Sequence, residues 1–160
     1  METRKIALAL KENEELLASF YRVCIKLFPS AATEFERLAM EEDGHAQLFA
    51  KVIVDIDRHP DAWRPGKISL TTLTLIGAQI RRAMEEAVSG ASAPRYALTF
   101  LRSAENSLGE RHLEQALLTD NQEMSGYLQH VNGAFSQHLK RLDELERKLF
   151  PGPVQSIFSI

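Results

Sequence analysis

Apolar residues recur along this chain at alternating steps of three and four, and no alternating strand pattern competes with them, so the chain reads as helices throughout. Ile6, Leu10, Leu17, Tyr21, Cys24 and Phe28 form one stripe, which predicts a helix from about Thr3 to Phe28, stopped by Pro29-Ser30. Ser30 is the expected N-cap of a second helix running to about Arg58. His59 to Gly66 is rich in turn residues and reads as a loop. Leu73, Ile76, Ile80, Met84 and Val88 predict a further helix over about Leu70 to Val88, broken by Gly90 to Pro94. Leu98, Leu101 and Leu108 predict a helix from about Pro94 to Leu118. Asp120 followed by Glu123 resembles a capping box and opens the last helix. Its seam of Leu128, Val131, Phe135, Leu142, Leu145 and Leu149 runs to Phe150, where Pro151-Gly152-Pro153 ends it. A short apolar tail follows, with Val154, Ile157, Phe158 and Ile160.

Tight turns make two antiparallel hairpins, and the long crossover between them carries a short helix of its own. The expected fold is all-α, a ferritin-like four-helix bundle in a single domain over residues 1–150, with residues 151–160 as the tail.

The stripes are not wholly apolar. Phe35, Leu38, Glu42, His45, Phe49, Val52 and Ile56 share one face, so a carboxylate and an imidazole stand one turn apart among core residues. Glu14 falls between Leu10 and Leu17, Glu105 between Leu101 and Leu108, and His138 between Phe135 and Leu142. Measured from the two hairpin turns, these five groups lie at comparable depth, because each residue rises about 1.5 Å along a helix. The halves also echo each other: Glu105 follows Glu14 by 91 positions and His138 follows His45 by 93. A lone buried carboxylate costs several kcal/mol unless paired or bound to a cation. Aligned carboxylates repel unless protonated or bridged. Glutamates and imidazoles together suit iron or manganese.

Each residue also has a plainer reading. His138 alone can be a hydrogen-bonded core histidine, Glu42 and His45 can be an internal pair, and Glu14 or Glu105 can reach solvent from a stripe edge. Tyr21 is expected in the core, where its hydroxyl can reach Glu14. Cys24 reads as a small buried hydrophobe. The Arg81-Arg82 and Glu85-Glu86 run reads as a solvated face with i,i+4 pairs. Trp63, in a Pro-rich loop, is a candidate contact for a partner or a second subunit.

Composition narrows the function further. A net charge of -3 without a long run of one sign suggests neither nucleic acid nor an anionic membrane. The single cysteine excludes an internal disulfide and any Cys-x-x-Cys metal motif. The first residues lack a secretory pattern, and no stretch reaches the roughly 18 apolar residues of a membrane span, so a cytoplasmic protein is expected.

Glu14 with Tyr21 seven later, Phe35-x-x-Leu38-Ala39-x-Glu41-Glu42-x-x-His45, Ala97-Leu98 ahead of Glu105, and His138 with Leu142 together resemble the rubrerythrin-like branch of the ferritin superfamily. The resemblance extends to about Leu149. It implies a non-haem iron site of one or two ions, with manganese as an alternative, and peroxide reduction or ferrous iron oxidation as the reaction. Glu14, Glu42, His45, Glu105 and His138 would be the ligands, with Glu42 bridging, and Tyr21 and His112 would be outer partners. His112 lies about 10.5 Å along the helix from Glu105, which argues against their sharing one metal. The resemblance also implies a homodimer, with peroxide or dioxygen as substrate and an electron donor from elsewhere. One position departs: the family expects Glu-x-x-His on the fourth helix, and this chain has Phe135-Ser136-Gln137-His138. The alternative is a bundle that has lost its metal site and serves as a binding or assembly module.

Overall fold

The computed structural model describes residues 1–110 and 115–152. Five helices carry most of them: α1 (Glu2–Leu27), α2 (Ala32–Arg58), α3 (Leu70–Ser89), α4 (Pro94–Glu110) and α5 (Gln122–Leu149). The chain is mainly helical, as the periodicity requires. Two short strands, β1 (Trp63–Pro65) and β2 (Leu117–Thr119), were not legible in that periodicity. His112 and residues 153–160 of the apolar tail lie outside the described residues. No helix among the described residues is long and apolar enough to cross a membrane.

The turn between α1 and α2 works without the expected cap. The Phe28 amide donates to the Cys24 carbonyl at 2.8 Å, and Pro29–Ala31 then form one 3-10 turn that leads straight into α2. Proline at the start of that turn has its φ already set and no N–H to satisfy. Ser30 therefore caps nothing, and α2 begins without a side-chain cap.

The crossover helix is not short: α3 has 20 residues. Ser69 caps it by accepting from the Thr72 amide at 3.2 Å, and Gly90, at φ 77°, ends it in the left-handed conformation that only glycine adopts without strain. α3 lies against α1 and α4. The α1 contact is locked by buried Asn13, whose Nδ2 donates to the Leu73 carbonyl at 3.1 Å. Gly77 makes room for that lock, since a Cβ there would stand 2.6 Å from Asn13 Oδ1.

α4 is described to Glu110, and the span predicted as helix up to Leu118 is not helical at its end. Leu117–Thr119 instead pair antiparallel with Trp63–Pro65, Trp63 facing Thr119. The ribbon needs Gly66, where a Cβ would stand 1.8 Å from the Gln115 carbonyl oxygen. Asn121, one residue past the predicted Asp120, caps α5, its Oδ1 accepting from the amides of Glu123 (3.1 Å) and Met124 (3.4 Å).

Trp63 is buried rather than offered to a partner. Its Nε1 donates to Asp55 Oδ2 at 2.8 Å, while Asp55 Oδ1 lies 3.1 Å from His59 Nδ1 and accepts from Asn121 Nδ2 at 3.3 Å. One aspartate thus ties the end of α2, the ribbon and the start of α5.

A single apolar cluster draws on all five helices. Aromatic rings join them, with Phe20 stacked on Phe100 (5.9 Å) and Phe28 against both Phe35 and Phe150 (5.8 Å each). Cys24 is a buried free thiol, pushed up to about 12 by burial, and packs as a small hydrophobe. Arg82 and Glu86 pair on the solvated face of α3 as expected.

Candidate metal centre

All five inward polar residues are buried: Glu14, Glu42, His45, Glu105 and His138. Helical spacing puts each on the core stripe of its own helix, and the packing of α1, α2, α4 and α5 brings them together. His45 Nδ1 lies 3.0 Å from Glu42 Oε2 and 3.3 Å from Glu14 Oε2. His138 Nδ1 lies 2.8 Å from Glu42 Oε1 and 3.2 Å from Glu105 Oε1. The two imidazoles face each other at 5.7 Å, within 26° of parallel.

These contacts resolve into two groups. Glu14, Glu42 and His45 offer ligand atoms within 4.8 Å of one another, and so do Glu42, Glu105 and His138. Glu42 belongs to both, which makes it, among the described residues, the carboxylate placed to bridge two ions. Each group can hold a metal ion.

No family model, curated protein or solved structure matches the chain. The site is therefore read from its own chemistry.

Two buried oxygens test whether a cation fits. Glu42 Oε1 and Glu105 Oε2 have no hydrogen-bond partner. The first lies near His138 Nδ1 without hydrogen-bond alignment. Buried carboxylate oxygens are rarely left so, because each forfeits its hydration without replacement. The unpartnered Glu105 Oε2, with the Glu42 carboxylate set between two imidazole nitrogens, makes a donor set that a divalent cation would satisfy, and the residues present fit one.

Protons supply positive charge here. Burial pulls the imidazoles down, but the adjoining carboxylates outweigh it. Glu14 and Glu42 push His45 up to about 10, and Glu105 and Glu42 push His138 up to about 11. Burial and then the neighbouring Glu42 hold the Glu14 carboxyl well above the usual carboxylate range. A cation would displace these protons and satisfy the same carboxylates.

The surroundings amend two readings of the sequence. Tyr21 donates its hydroxyl to Glu105 Oε1 at 2.6 Å, not to Glu14, because the core brings α4 against that face of α1. Burial and then Glu105 hold the Tyr21 phenol well above its ordinary range, so it stays a donor. Glu41 was visible only as the neighbour of Glu42. Its Oε2 lies 2.8 Å from His138 Nε2, and its Oε1 accepts from Arg141 Nη1 at 2.6 Å. A carboxylate on the far nitrogen of a histidine fixes which nitrogen faces inward. His130, exposed on α5, sets its ring edge-on to His45 at 6.1 Å.

Phe135 is buried one turn before His138. An apolar ring therefore occupies the helical position where a second bridging carboxylate was expected. An open surface groove of about 710 Å³ beside Met40 meets this cluster only through Glu41.

Proposed function

We propose that this chain is a ferritin-like protein that holds one or two non-haem iron ions in its core and carries out peroxide reduction or ferrous iron oxidation there. The observation that carries the reading is Glu42, a buried carboxylate common to two ligand groups, with one oxygen in each. The bundle of the proposal is the pair of hairpins α1/α2 and α4/α5, with α3 as the crossover. A Glu from each of two helices plus Glu-x-x-His from the others is the carboxylate pattern of di-iron bundles. This chain supplies all of it except the glutamate at Phe135.

Iron held by these residues would supply one-electron redox chemistry towards peroxide or dioxygen. The chain's own residues perform the rest. Glu14 and Glu105 close the two ends, Glu42 spans the middle, and His45 and His138 present Nδ1 inward. Tyr21 and Glu41 hold Glu105 and His138 in place. Manganese suits the same donors. Repeated turnover requires an external electron donor, and the proposed assembly is a homodimer.

Anaerobic loading with Fe(II), followed by metal counting and a peroxide-consumption assay, tests the reading. The expected result is at least one iron per chain, lost in Glu42→Ala. Fewer than about one ion for every five chains, unchanged by Glu42→Ala, overturns it.

Phe135 favours a second reading, a bundle that has lost its metal chemistry and serves as a binding or assembly module. On that reading Fe(II) leaves the melting temperature unmoved, whereas a bound ion raises it.

A further inference from the structure

The two halves of the cluster share Glu42 but are held very differently. In the Glu42–Glu105–His138 half, Glu105 and His138 each have a partner outside the cluster. Tyr21 occupies Glu105 Oε1 at 2.6 Å and leaves Oε2 with no partner. Glu41 takes the far nitrogen of His138 at 2.8 Å, and Arg141 pins Glu41 in turn. Glu42 Oε1 lies on this side, paired with His138 Nδ1 at 2.8 Å, as Oε2 is paired with His45 on the other.

Among the described residues the Glu14–Glu42–His45 half lacks such support. The polar partners of Glu14 among them are His45 and Glu42, and Glu42 Oε2 is already engaged by His45. His45 has no hydrogen bond at Nε2 among the described residues. It is the most exposed of the five ligands, at 5 %, with the exposed ring of His130 edge-on to it and the His138 ring stacked against it.

A ligand fixed beforehand loses less freedom when it binds, a difference of about two- to tenfold in affinity for each immobilised side chain. An outer partner that orients a metal-binding histidine is worth about 10–100-fold. We propose that the two halves fill in order: the Glu42–Glu105–His138 half binds the first divalent ion tightly, and the Glu14–Glu42–His45 half holds a second, weaker and more exchangeable one. Tyr21 and Glu41 are positioning residues for the first ion only. This inference rests on the metal-binding reading above.

Anaerobic titration with Co(II), followed by visible absorption and equilibrium dialysis, reads the order. Two affinity classes are expected, separated by at least about tenfold. Glu14→Ala should keep the tight class and lose the weak one, and Glu105→Ala the reverse. Tyr21→Phe and Glu41→Gln remove no ligand, and each should weaken the tight class by about tenfold while leaving the weak class in place. These two variants carry the test if Glu105→Ala does not fold. A single class of equal affinity overturns the order while sparing the metal reading. So does a tight class that survives Glu105→Ala but not Glu14→Ala, or a tight class indifferent to both Tyr21→Phe and Glu41→Gln. Wild-type protein that takes up no Co(II) ends both.

Discussion

Two buried carboxylates, Glu42 and Asp55, stand on the same helix and live by opposite rules. Both oxygens of Asp55 are engaged, by Trp63, His59 and Asn121, groups that exist to hold the ribbon and the start of α5 in place. Burial raises the Asp55 carboxyl, but those donors win and hold it below the usual carboxylate range. Glu42 faces Glu14, Glu105 and two imidazoles, and keeps one oxygen without a hydrogen bond. A satisfied buried acid builds structure, and a crowded, partly orphaned one invites a ligand. The difference is the number of fixed donors aimed at each oxygen.

The sharpest way to break this contrast is to change what Glu42 faces. Phe135→Glu adds a fourth glutamate to the buried stripe, one turn before His138, and should cost the metal-free protein several kcal/mol, because that charge is buried. Fe(II) should then restore much of the melting temperature, more than it adds to wild type. Equal loss with and without Fe(II) would show that Phe135 does not adjoin the site.

Glu42→Ala should lower divalent-metal affinity by more than about 100-fold, beyond what an outer partner costs. Asp55→Ala should do the reverse: it leaves the buried Trp63 Nε1 unpaired, costs about 2–3 kcal/mol in denaturant unfolding, and leaves metal affinity unchanged. A metal defect in Asp55→Ala would erase the distinction between the two acids.

The pH dependence separates them more gently. His45 and His138 titrate near 10 and 11 in the folded protein, against 6.5 when unfolded. Their contribution to metal-free stability is complete below about pH 6.5 and is lost as pH rises through 10 and 11. Glu14, also raised on folding, acts in the same direction from 4.5 upward. Asp55 runs the other way: its contribution is present above 3.8 and is lost as pH falls through the lowered folded value. Metal-free melting temperatures should therefore decline towards alkali, and Asp55→Asn should flatten only the acid limb. Bound metal displaces the imidazole protons, so affinity should rise over the same alkaline window. A metal-free protein whose stability climbs from pH 7 to 10 would contradict the charge pattern of the cluster.

The smallest effect belongs to packing beside the site. Gly77→Ala crowds Asn13 Oδ1 and should cost about 1–3 kcal/mol in chemical denaturation without moving metal affinity.

Helical spacing alone was enough to mark Glu14, Glu42, His45, Glu105 and His138 as inward, because burial on a helix follows its period. It could not find Glu41. That residue sits next to Glu42, off the core stripe, and its role comes from His138 and Arg141 on another helix. Tyr21 was placed in the core but not with its partner, since which helix covers a given face is decided by packing. The ribbon was hidden for a different reason. Strands of three residues are too short to show alternation, and Leu117–Thr119 continues the apolar spacing of the helix before it. Trp63 in a Pro-rich loop read as a contact for a partner or a second subunit, whereas the ribbon and Asp55 hold it buried.

The chain's single tryptophan gives that ribbon a use in the laboratory. Each hairpin joins neighbours in sequence, but Trp63 meets Thr119 across more than fifty residues, the kind of closure that tends to come late in folding. Indole emission arises from one place, at the latch rather than at the metal cluster. Stopped-flow refolding followed by that emission would time the last long-range closure, while far-ultraviolet circular dichroism times the helices, and a lag between the two signals would be the latch snapping shut.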